Sequence, residues 1–298
     1  MITILFIVPM LFFTTVYLEA LKTSGEGTAA KAVGDKIASF SKSVDSDMPM
    51  AMDIIVKRAI EANIDYIEKN GQSLDDAEAR IAESMINGTV FGNSTSFNNF
   101  TITGWASTIS AKGAAYGFAS DVDVAGINIT QLDSYHLAVG VVISVNISSG
   151  SEASLYRIYD TEIPVSVEGQ IDPLYLLNTN GLIKRVIQAP NITVYGVANV
   201  DTAVAREYYM QSQDGPGFLD RLEGRLGNTY SLTNIGLETF VYLPELQANG
   251  LPVKTSQTIV DYLYFNSSSH TGQAVNGSAY SWLRLNSAQA AKYGVTLV

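Results

Sequence analysis

The chain contains no cysteine and only two histidines among its 298 residues. The absence of cysteine excludes disulfide bonds, thiolate metal sites and cysteine nucleophiles. His136 and His270 stand far apart in the sequence, and no HExxH or EF-hand pattern accompanies them, so each is interpreted as a structural side chain. We therefore expect no catalytic residues, no metal and no cofactor.

Basic residues are also scarce, since 18 Lys and Arg face 29 Asp and Glu and give a formal net charge of −11. No basic run is longer than Lys57-Arg58 or Lys184-Arg185, which argues against nucleic acid as a partner. Asp121 and Asp123 are interpreted as exposed strand carboxylates rather than a calcium site. The stretch from Gly25 to Ala30 fits GxGxxA, but no strand precedes it, so dinucleotide binding is not expected.

No side chain from Met1 to Leu18 is charged at neutral pH, and Glu19 is the first that is. A secretory signal peptide would need a basic region before the apolar run, which this stretch lacks. Eighteen uncharged residues reach the lower end of the roughly 17–25 that span a bilayer, and membrane helices tolerate a proline such as Pro9. A buried helix of a globular domain is a third possibility.

A fourth possibility follows from the residues after Leu18, where small, charged and apolar residues alternate at helical spacing. Gly25, Gly27 and Gly34 would let neighbouring helices approach closely. A helix that is apolar all round at its start must be buried on every side there, and further copies of the chain could supply that burial. We therefore expect one mostly continuous helix over residues 1–46. The predicted apolar face comprises Leu18, Leu21, Ala29, Ala32, Val33, Ile37 and Phe40.

Asn-x-Ser/Thr sequons are more frequent than chance predicts. With 18 Asn, and 50 Ser or Thr among 298 residues, about three are expected, whereas eight occur. This excess favours an N-glycosylated, extracellular protein. The sequon asparagines are Asn87, Asn93, Asn99, Asn128, Asn146, Asn191, Asn266 and Asn276.

Helical patterns followed by strand patterns predict an α+β head behind the N-terminal helix. Asp45-Ser46-Asp47 and Pro49 indicate a helix break, after which a helical pattern runs to Gly71. Ser73 and Asp76 resemble a capping box for the next helix, and residues 90–103 are predicted to form a loop. A short helix is expected at 104–118. Strands are expected at 118–130, 135–147 and 154–168, the second of them central.

The C-terminal part is predicted to alternate short strands and helices. Turn residues at 169–180 suggest a boundary between two head regions. Strands are expected at 191–197, 237–242, 258–265 and 279–285, and helices at 202–211, 216–224 and 286–293. The predicted division is an assembly helix at 1–46 and head regions at 47–170 and 171–298.

An uncharged apolar helix that becomes amphipathic and leads into a sequon-rich head resembles the type IV pilin and archaeal flagellin superfamily. The stretches VEGQIDPLYLLNTNGLIKRVI (167–187), GFLDRLEG (217–224) and WLRLNSAQAAKYGV (282–295) are similar to large archaeal surface proteins of that kind. Many bacterial pilins carry glutamate at the fifth mature position, where this chain has Leu5; archaeal filament proteins commonly lack it. The resemblance implies that a prepilin peptidase removes a short basic leader, so that Met1 is the expected mature start.

The resemblance also implies a function, namely that of a structural subunit that polymerises through its N-terminal helix into an extracellular filament with a glycosylated, adhesive head. The helix would lie in the membrane before assembly. A membrane-anchored glycosylated adhesin that does not polymerise is the alternative, and a secreted enzyme with an unrecognised site is a third possibility. The predicted assembly residues are Leu5, Phe6, Ile7, Pro9, Leu11, Phe12, Phe13 and Val16.

Overall fold

The computed structural model describes residues 26–150, 153–191, 195–229, 235–253, 260–266 and 272–298. These residues form an α+β fold with one long helix and antiparallel sheets, which confirms the α+β part of the prediction; the apolar part of the predicted helix lies outside the described residues. Among them, no helix combines the length and the apolar character that crossing a membrane requires.

Helix α1 runs without interruption from Glu26 to Asn70 and contains Pro49. The predicted break at Asp45-Ser46-Asp47 and Pro49 is therefore wrong. Pro49 is exposed, so its ring does not disturb the packed face, and the stripe of buried side chains continues on both sides of it. Packing of that stripe outweighs the missing N–H of proline. The stripe includes Ile37, Phe40, Val44, Met48, Met52, Ile55 and Ala59.

The predicted apolar face of α1 is only partly seen. Ile37 and Phe40 are buried, whereas Ala32 and Val33 are half-buried. Leu18 and Leu21 lie outside the described residues, as does most of the helix that was predicted over residues 1–46.

Helix α2 spans Ala77–Asn87. Its N-cap is Asp76, whose carboxylate accepts a hydrogen bond from the Ala79 N–H at 3.0 Å, so the predicted cap at Ser73 lies three residues too early. A two-stranded hairpin, β1 (Thr89–Val90) and β2 (Asn93–Ser94), replaces part of the predicted loop. Helix α3 then spans Ile102–Ala115, close to the predicted short helix.

Three long strands follow as a meander, β3 (Ala119–Gln131), β4 (His136–Ser149) and β5 (Ala153–Ser166). The order β3-β4-β5 makes β4 the central strand, as predicted. Every second side chain of β4 is buried along most of its length, because successive residues of a strand face opposite sides of a sheet.

The C-terminal elements are short. Antiparallel pairs form between Tyr209–Ser212 and Gly236–Thr239 and between Gln273–Ala274 and Arg284–Leu285. The elements are α4 (Pro173–Asn178), α5 (Val197–Arg206), β6 (Tyr209–Ser212), α6 (Phe218–Leu222), β7 (Gly236–Thr239), α7 (Leu243–Ala248), α8 (Asp261–Phe265), β8 (Gln273–Ala274), β9 (Arg284–Leu285) and α9 (Ser287–Tyr293).

Several predicted elements of this part need correction. The strand expected at 258–265 is helix α8 from Asp261 onward, and the helix expected at 202–211 ends at Arg206, where Glu207 adopts a left-handed conformation. Only Arg284–Leu285 of the strand expected at 279–285 is a strand. The helices expected at 216–224 and 286–293 are confirmed in position as α6 and α9.

The chain divides into two compact units. Unit one comprises residues up to 52, 103–126 and 141–161, and unit two comprises 53–102, 127–140 and 162–298. Helix α1 and the three long strands each contribute to both units. The predicted division into regions 1–46, 47–170 and 171–298 stays a prediction.

Candidate glycosylation sites and buried ionic clusters

Seven of the eight sequon asparagines have exposed side chains, and Asn266 is half-exposed. They are distributed over helix ends, strands and loops. Each of the seven is therefore accessible for attachment of a saccharide, as N-glycosylation requires. Occupancy itself stays a prediction. The seven are Asn87, Asn93, Asn99, Asn128, Asn146, Asn191 and Asn276.

The β1–β2 hairpin contains the sequon asparagine Asn93 and follows Asn87, and side chains of α2 hold it in place. Its two-residue turn places Phe91 and Gly92 at positive φ, 50° and 72°, as a type I′ turn requires. The Glu83 carboxylate accepts hydrogen bonds from the Gly92 N–H at 2.7 Å and from the Thr89 hydroxyl at 2.8 Å. The Arg80 guanidinium lies 4.3 Å from the centre of the Phe91 ring. The turn is thus fixed by both charge and packing.

The pKa of Glu83 reflects these contacts. Burial favours the neutral carboxyl, but hydrogen bonds from Gly92 and Thr89, together with Arg80, outweigh burial and lower the pKa. Glu83 therefore stays charged at neutral pH and keeps the hairpin attached.

A cleft of about 280 Å³ lies between the last turns of α1 and the hairpin. Asp65, Tyr66 and Lys69 line it from α1, and Asn93 and Ser94 line it from β2. The Lys69 ammonium is 3.6 Å from the Asp65 carboxylate. The cleft thus combines one aromatic ring with groups that can donate and accept hydrogen bonds, and a sequon asparagine forms part of its wall.

The predicted assembly residues, Leu5 to Val16, lie outside the described residues. What the structure gives is the part of α1 that follows them. From Lys31 to Lys36 no side chain is buried, whereas buried side chains recur every three or four residues from Ile37 onward. Among the side chains that the structure describes, full burial on α1 therefore begins at Ile37.

Three fully buried charged side chains form the centre of unit two. One Arg221 nitrogen, Nη1, lies 2.7 Å from the Asp172 carboxylate and 2.8 Å from the Asp261 carboxylate. The other groups of this guanidinium donate to the carbonyl oxygens of Pro216 and Leu237. Because these side chains are closed off from solvent, the cluster offers no access to a substrate and acts on stability.

The carboxylates of this cluster also hold the backbone. Asp172 accepts from the Leu174 N–H at 2.9 Å, which caps α4, and from the Tyr209 hydroxyl at 2.7 Å. Asp261 accepts from the Tyr262 N–H at 2.8 Å. The cluster thus links α4, α6, α8 and β6 within unit two.

Burial acts in opposite directions on the pKa of a carboxyl, which it raises, and on the pKa of a guanidinium, which it lowers. Burial raises the pKa of Asp261 to about 6, with the neighbouring Asp172 charge adding to the rise and Arg221 opposing it. Burial by itself would lower the pKa of Arg221, but Asp172 and Asp261 hold it above its ordinary value. One positive charge faces two carboxylates, so the cluster as a whole favours holding a proton.

Two further clusters involve buried charges. The Arg185 guanidinium donates to the Phe240 carbonyl at 2.7 Å and pairs with Glu245 at 2.9 Å. Glu238 accepts from the Lys292 ammonium at 2.7 Å and from the Tyr293 hydroxyl. Both clusters connect residues that are more than 50 positions apart in the sequence.

The histidine and carboxylate side chains that were considered for chemistry are structural or exposed. His136 Nδ1 lies 3.0 Å from the Asp133 carboxylate in the connection between β3 and β4, and His270 lies outside the described residues. Asp121 and Asp123 are exposed on β3. Within the described ranges, no group of three or more acidic or histidine side chains could hold a metal ion.

The sequence did not predict the buried ionic clusters, although it contained a signal for them. Asp172 precedes a proline in an otherwise apolar stretch, and Asp261 stands within the aromatic run DYLYF. Single charges in such surroundings mark buried, paired groups. Asp172 and Arg185 lie in the stretch 167–187, Arg221 lies in 217–224 and Lys292 lies in 282–295.

No protein-family model, curated protein or solved structure matches the chain.

Proposed function

We propose that the chain is a structural subunit of an extracellular helical filament of the type IV pilus kind, which polymerises through its N-terminal helix and displays a glycosylated, adhesive head. The observation that carries this proposal is the course of α1. The helix is already formed at Glu26, eight residues after the uncharged stretch ends at Leu18, and no side chain from Lys31 to Lys36 is buried. We infer that this part of the helix continues toward the apolar stretch and contributes to contacts between subunits.

The apolar stretch supplies the driving force for assembly. Fully burying one large aliphatic or aromatic side chain is worth roughly 1.5–3 kcal/mol. Seven of the predicted assembly residues are of this kind, so their burial is worth on the order of 10–20 kcal/mol before entropy is subtracted. A bilayer can hold the same stretch before assembly. The seven are Leu5, Phe6, Ile7, Leu11, Phe12, Phe13 and Val16.

The head has the properties that an extracellular subunit needs. It carries exposed sequons on many of its elements. It contains no cysteine, so its stability comes from packing and from buried ionic clusters such as that of Arg221 rather than from disulfide bonds. These features support a durable surface protein.

The test is a charge in the apolar stretch. Phe12→Asp should abolish filaments in electron micrographs while the circular dichroism spectrum of the head stays unchanged, because an aspartate cannot be buried there without a partner. Leu132→Asp, which makes the same kind of change at a head residue that is 49% exposed, is the matched control and should leave filaments intact.

Two results would count against the proposal. If a chain without residues 1–22 still formed native filaments, assembly would have to depend on contacts between heads. If the unaltered chain stayed in the membrane as a monomer under all conditions, the anchored adhesin would be the better description.

A further inference from the structure

We propose that the saccharide carried by Asn93 lies in the cleft between α1 and the β1–β2 hairpin and ties the hairpin to the helix. This inference rests on the glycosylated head of the proposed function and goes beyond it by giving one glycan a binding site on the protein. Asn93 is exposed, so it is open to modification, and it also forms part of the cleft wall.

The attachment atom already has a fixed direction. Asn93 Nδ2 donates a hydrogen bond to the Phe91 carbonyl at 3.2 Å. N-glycosylation forms a bond from Nδ2 to the anomeric carbon of a phosphate-activated saccharide, while one amide proton and the phosphate group leave. One hydrogen remains on Nδ2 and can donate to the Phe91 carbonyl. The first sugar is therefore attached at the edge of the cleft with the amide held in place.

The cleft offers the chemistry that recognises a saccharide. Tyr66 lines it, and the Tyr66 ring centre lies 5.1 Å from that of Phe91, which is held in turn by Arg80. A supported aromatic ring can pack against the C–H face of a sugar. The Asp65 carboxylate accepts and the Lys69 ammonium donates hydrogen bonds, so both can pair with sugar hydroxyls.

The size of the cleft limits how much of the glycan it can hold. Its volume of about 280 Å³ is at the small end of the roughly 300–1,000 Å³ typical of ligand pockets. It can accommodate the first sugars, and the rest of the chain must extend into solvent. All the residues involved belong to unit two.

The experiment uses the full chain produced in a host that glycosylates Asn-x-Ser/Thr. Asn93→Gln removes the glycan and keeps an amide. Thr95→Ala is unsuitable, because the Thr95 hydroxyl donates to the Gly88 carbonyl at 3.0 Å and its loss would disturb the hairpin directly. Asn128→Gln, which removes an exposed sequon on β3 away from the cleft, is the matched control.

Hydrogen–deuterium exchange of residues 62–70 and 89–96 is the main measurement. Asn93→Gln should speed exchange of both segments by about fivefold or more, because losing the contact between glycan and cleft makes local opening of these segments more frequent. It should also lower Tm by roughly 2–4 °C. Asn128→Gln should leave exchange of both segments unchanged. In protein from a host that does not glycosylate, Asn93→Gln alters only the exposed hydrogen bond to the Phe91 carbonyl, so its effect on exchange and Tm should be much smaller.

A double-mutant cycle identifies the contact. In the Tyr66→Ala background, removing the Asn93 glycan should no longer change exchange or Tm, because the ring it packs against is gone. If the effect of Asn93→Gln were the same with and without Tyr66, the glycan would not lie against this ring and the inference would be wrong.

The remaining outcomes separate this inference from the proposed function. Glycopeptide mass spectrometry reads occupancy of Asn93, and electron microscopy reads filament formation. Filaments with an occupied Asn93 and unchanged exchange would overturn the inference alone. If Asn93 were unoccupied, and free oligosaccharide released from the protein shifted the NMR signals of Tyr66 and Lys69, the cleft would bind an external saccharide instead. Absence of glycan from every sequon would overturn both the inference and the glycosylated head.

Discussion

Arg221 shows how a head without disulfide bonds uses a fully buried charge. Its guanidinium pairs with two carboxylates and donates to two backbone carbonyls, so the cost of removing it from water is offset by contacts on several sides. Removing one member of such a cluster lowers the stability of the fold strongly, because the remaining charges stay buried without a partner.

Arg221→Met should therefore lower the free energy of unfolding by roughly 3–5 kcal/mol. Urea denaturation followed by circular dichroism measures this change. Lys57→Met is the matched control, since the side chains of Lys57 and its partner Asp53 are 46% and 39% exposed; its loss should cost about 0–1 kcal/mol. Equal effects of the two substitutions would mean that the buried cluster adds no special stability.

Asp261 should make stability depend on pH. Its folded pKa of about 6 lies above the value of roughly 3.9 expected in the unfolded chain. The native state therefore binds a proton more tightly, and the stability this contributes is fully present below about pH 4 and is lost as pH rises through 6. Two pKa units correspond to roughly 3 kcal/mol.

The measurement is the difference in free energy of unfolding between the unaltered chain and Asp261→Asn. Between pH 4 and pH 7 the unaltered chain should lose roughly 3 kcal/mol relative to the variant. Groups with lowered pKa values, such as Asp45 and Glu83, lose their contribution as pH falls, but they are common to both proteins and cancel. A difference that does not vary with pH would contradict the prediction.

Among the elements, α1 contains the clearest local conflict. Pro49 stands inside the helix and has no N–H to donate to the carbonyl of Asp45 four residues earlier. Side-chain contacts hold this region nevertheless: the Asp45 carboxylate accepts from Arg157 and Tyr159, and the Trp105 indole donates to Asp47 at 3.0 Å. The helix thus continues through a residue that would end it in isolation.

Pro49→Ala should raise the free energy of unfolding by roughly 1–2 kcal/mol. A proline in a helix interior destabilises the helix by about 3 kcal/mol, which alanine would remove. The unfolded chain is more flexible with alanine than with proline, and this lowers the net gain in stability. Met50→Ala, at the neighbouring exposed position, should change stability by less than about 0.5 kcal/mol. A loss of stability on replacing Pro49 would show that the ring itself is needed.

The elements that the sequence predicted are those whose pattern is local. Strand β4 is a long apolar run and was placed correctly, as were α6 and α9. Helix α8 was predicted as a strand because its aromatic residues favour strands, whereas the buried Asp261 and its partners decide its conformation. The hairpin β1–β2 was missed because Phe91, a residue uncommon at positive φ, occupies its turn.

The candidate sites likewise divide into those set by local sequence and those set by contacts between distant residues. Sequons are local motifs, so the sequence located all eight of them. The ionic clusters join residues such as Asp172 and Arg221, 49 positions apart, and the cleft joins α1 to a hairpin that had not been predicted. Contacts of this kind depend on the tertiary fold, which one sequence does not reveal.

At the scale of the whole molecule, the exposed sequons predict a glycoprotein. Intact-mass spectrometry should give a mass above the 32.1 kDa of the polypeptide, and glycopeptide analysis should find saccharide at most of the seven exposed asparagines. Occupancy should be lowest at Asn266, whose side chain is only half-exposed. A bare polypeptide mass would contradict the prediction, and removal of glycans by enzyme provides the reference mass.

The interleaving of the two compact units has a consequence for synthesis. Neither unit is one continuous stretch, because the chain passes from one to the other at residues 52, 102, 126, 140 and 161. A chain emerging from the ribosome cannot complete unit one until residue 161 is available, and unit two needs residues beyond 161 as well. The early segments of unit two, residues 53–102 and 127–140, must therefore wait for their partners while the residues after 161 are translated. This interval is the stage at which a chaperone would be most useful.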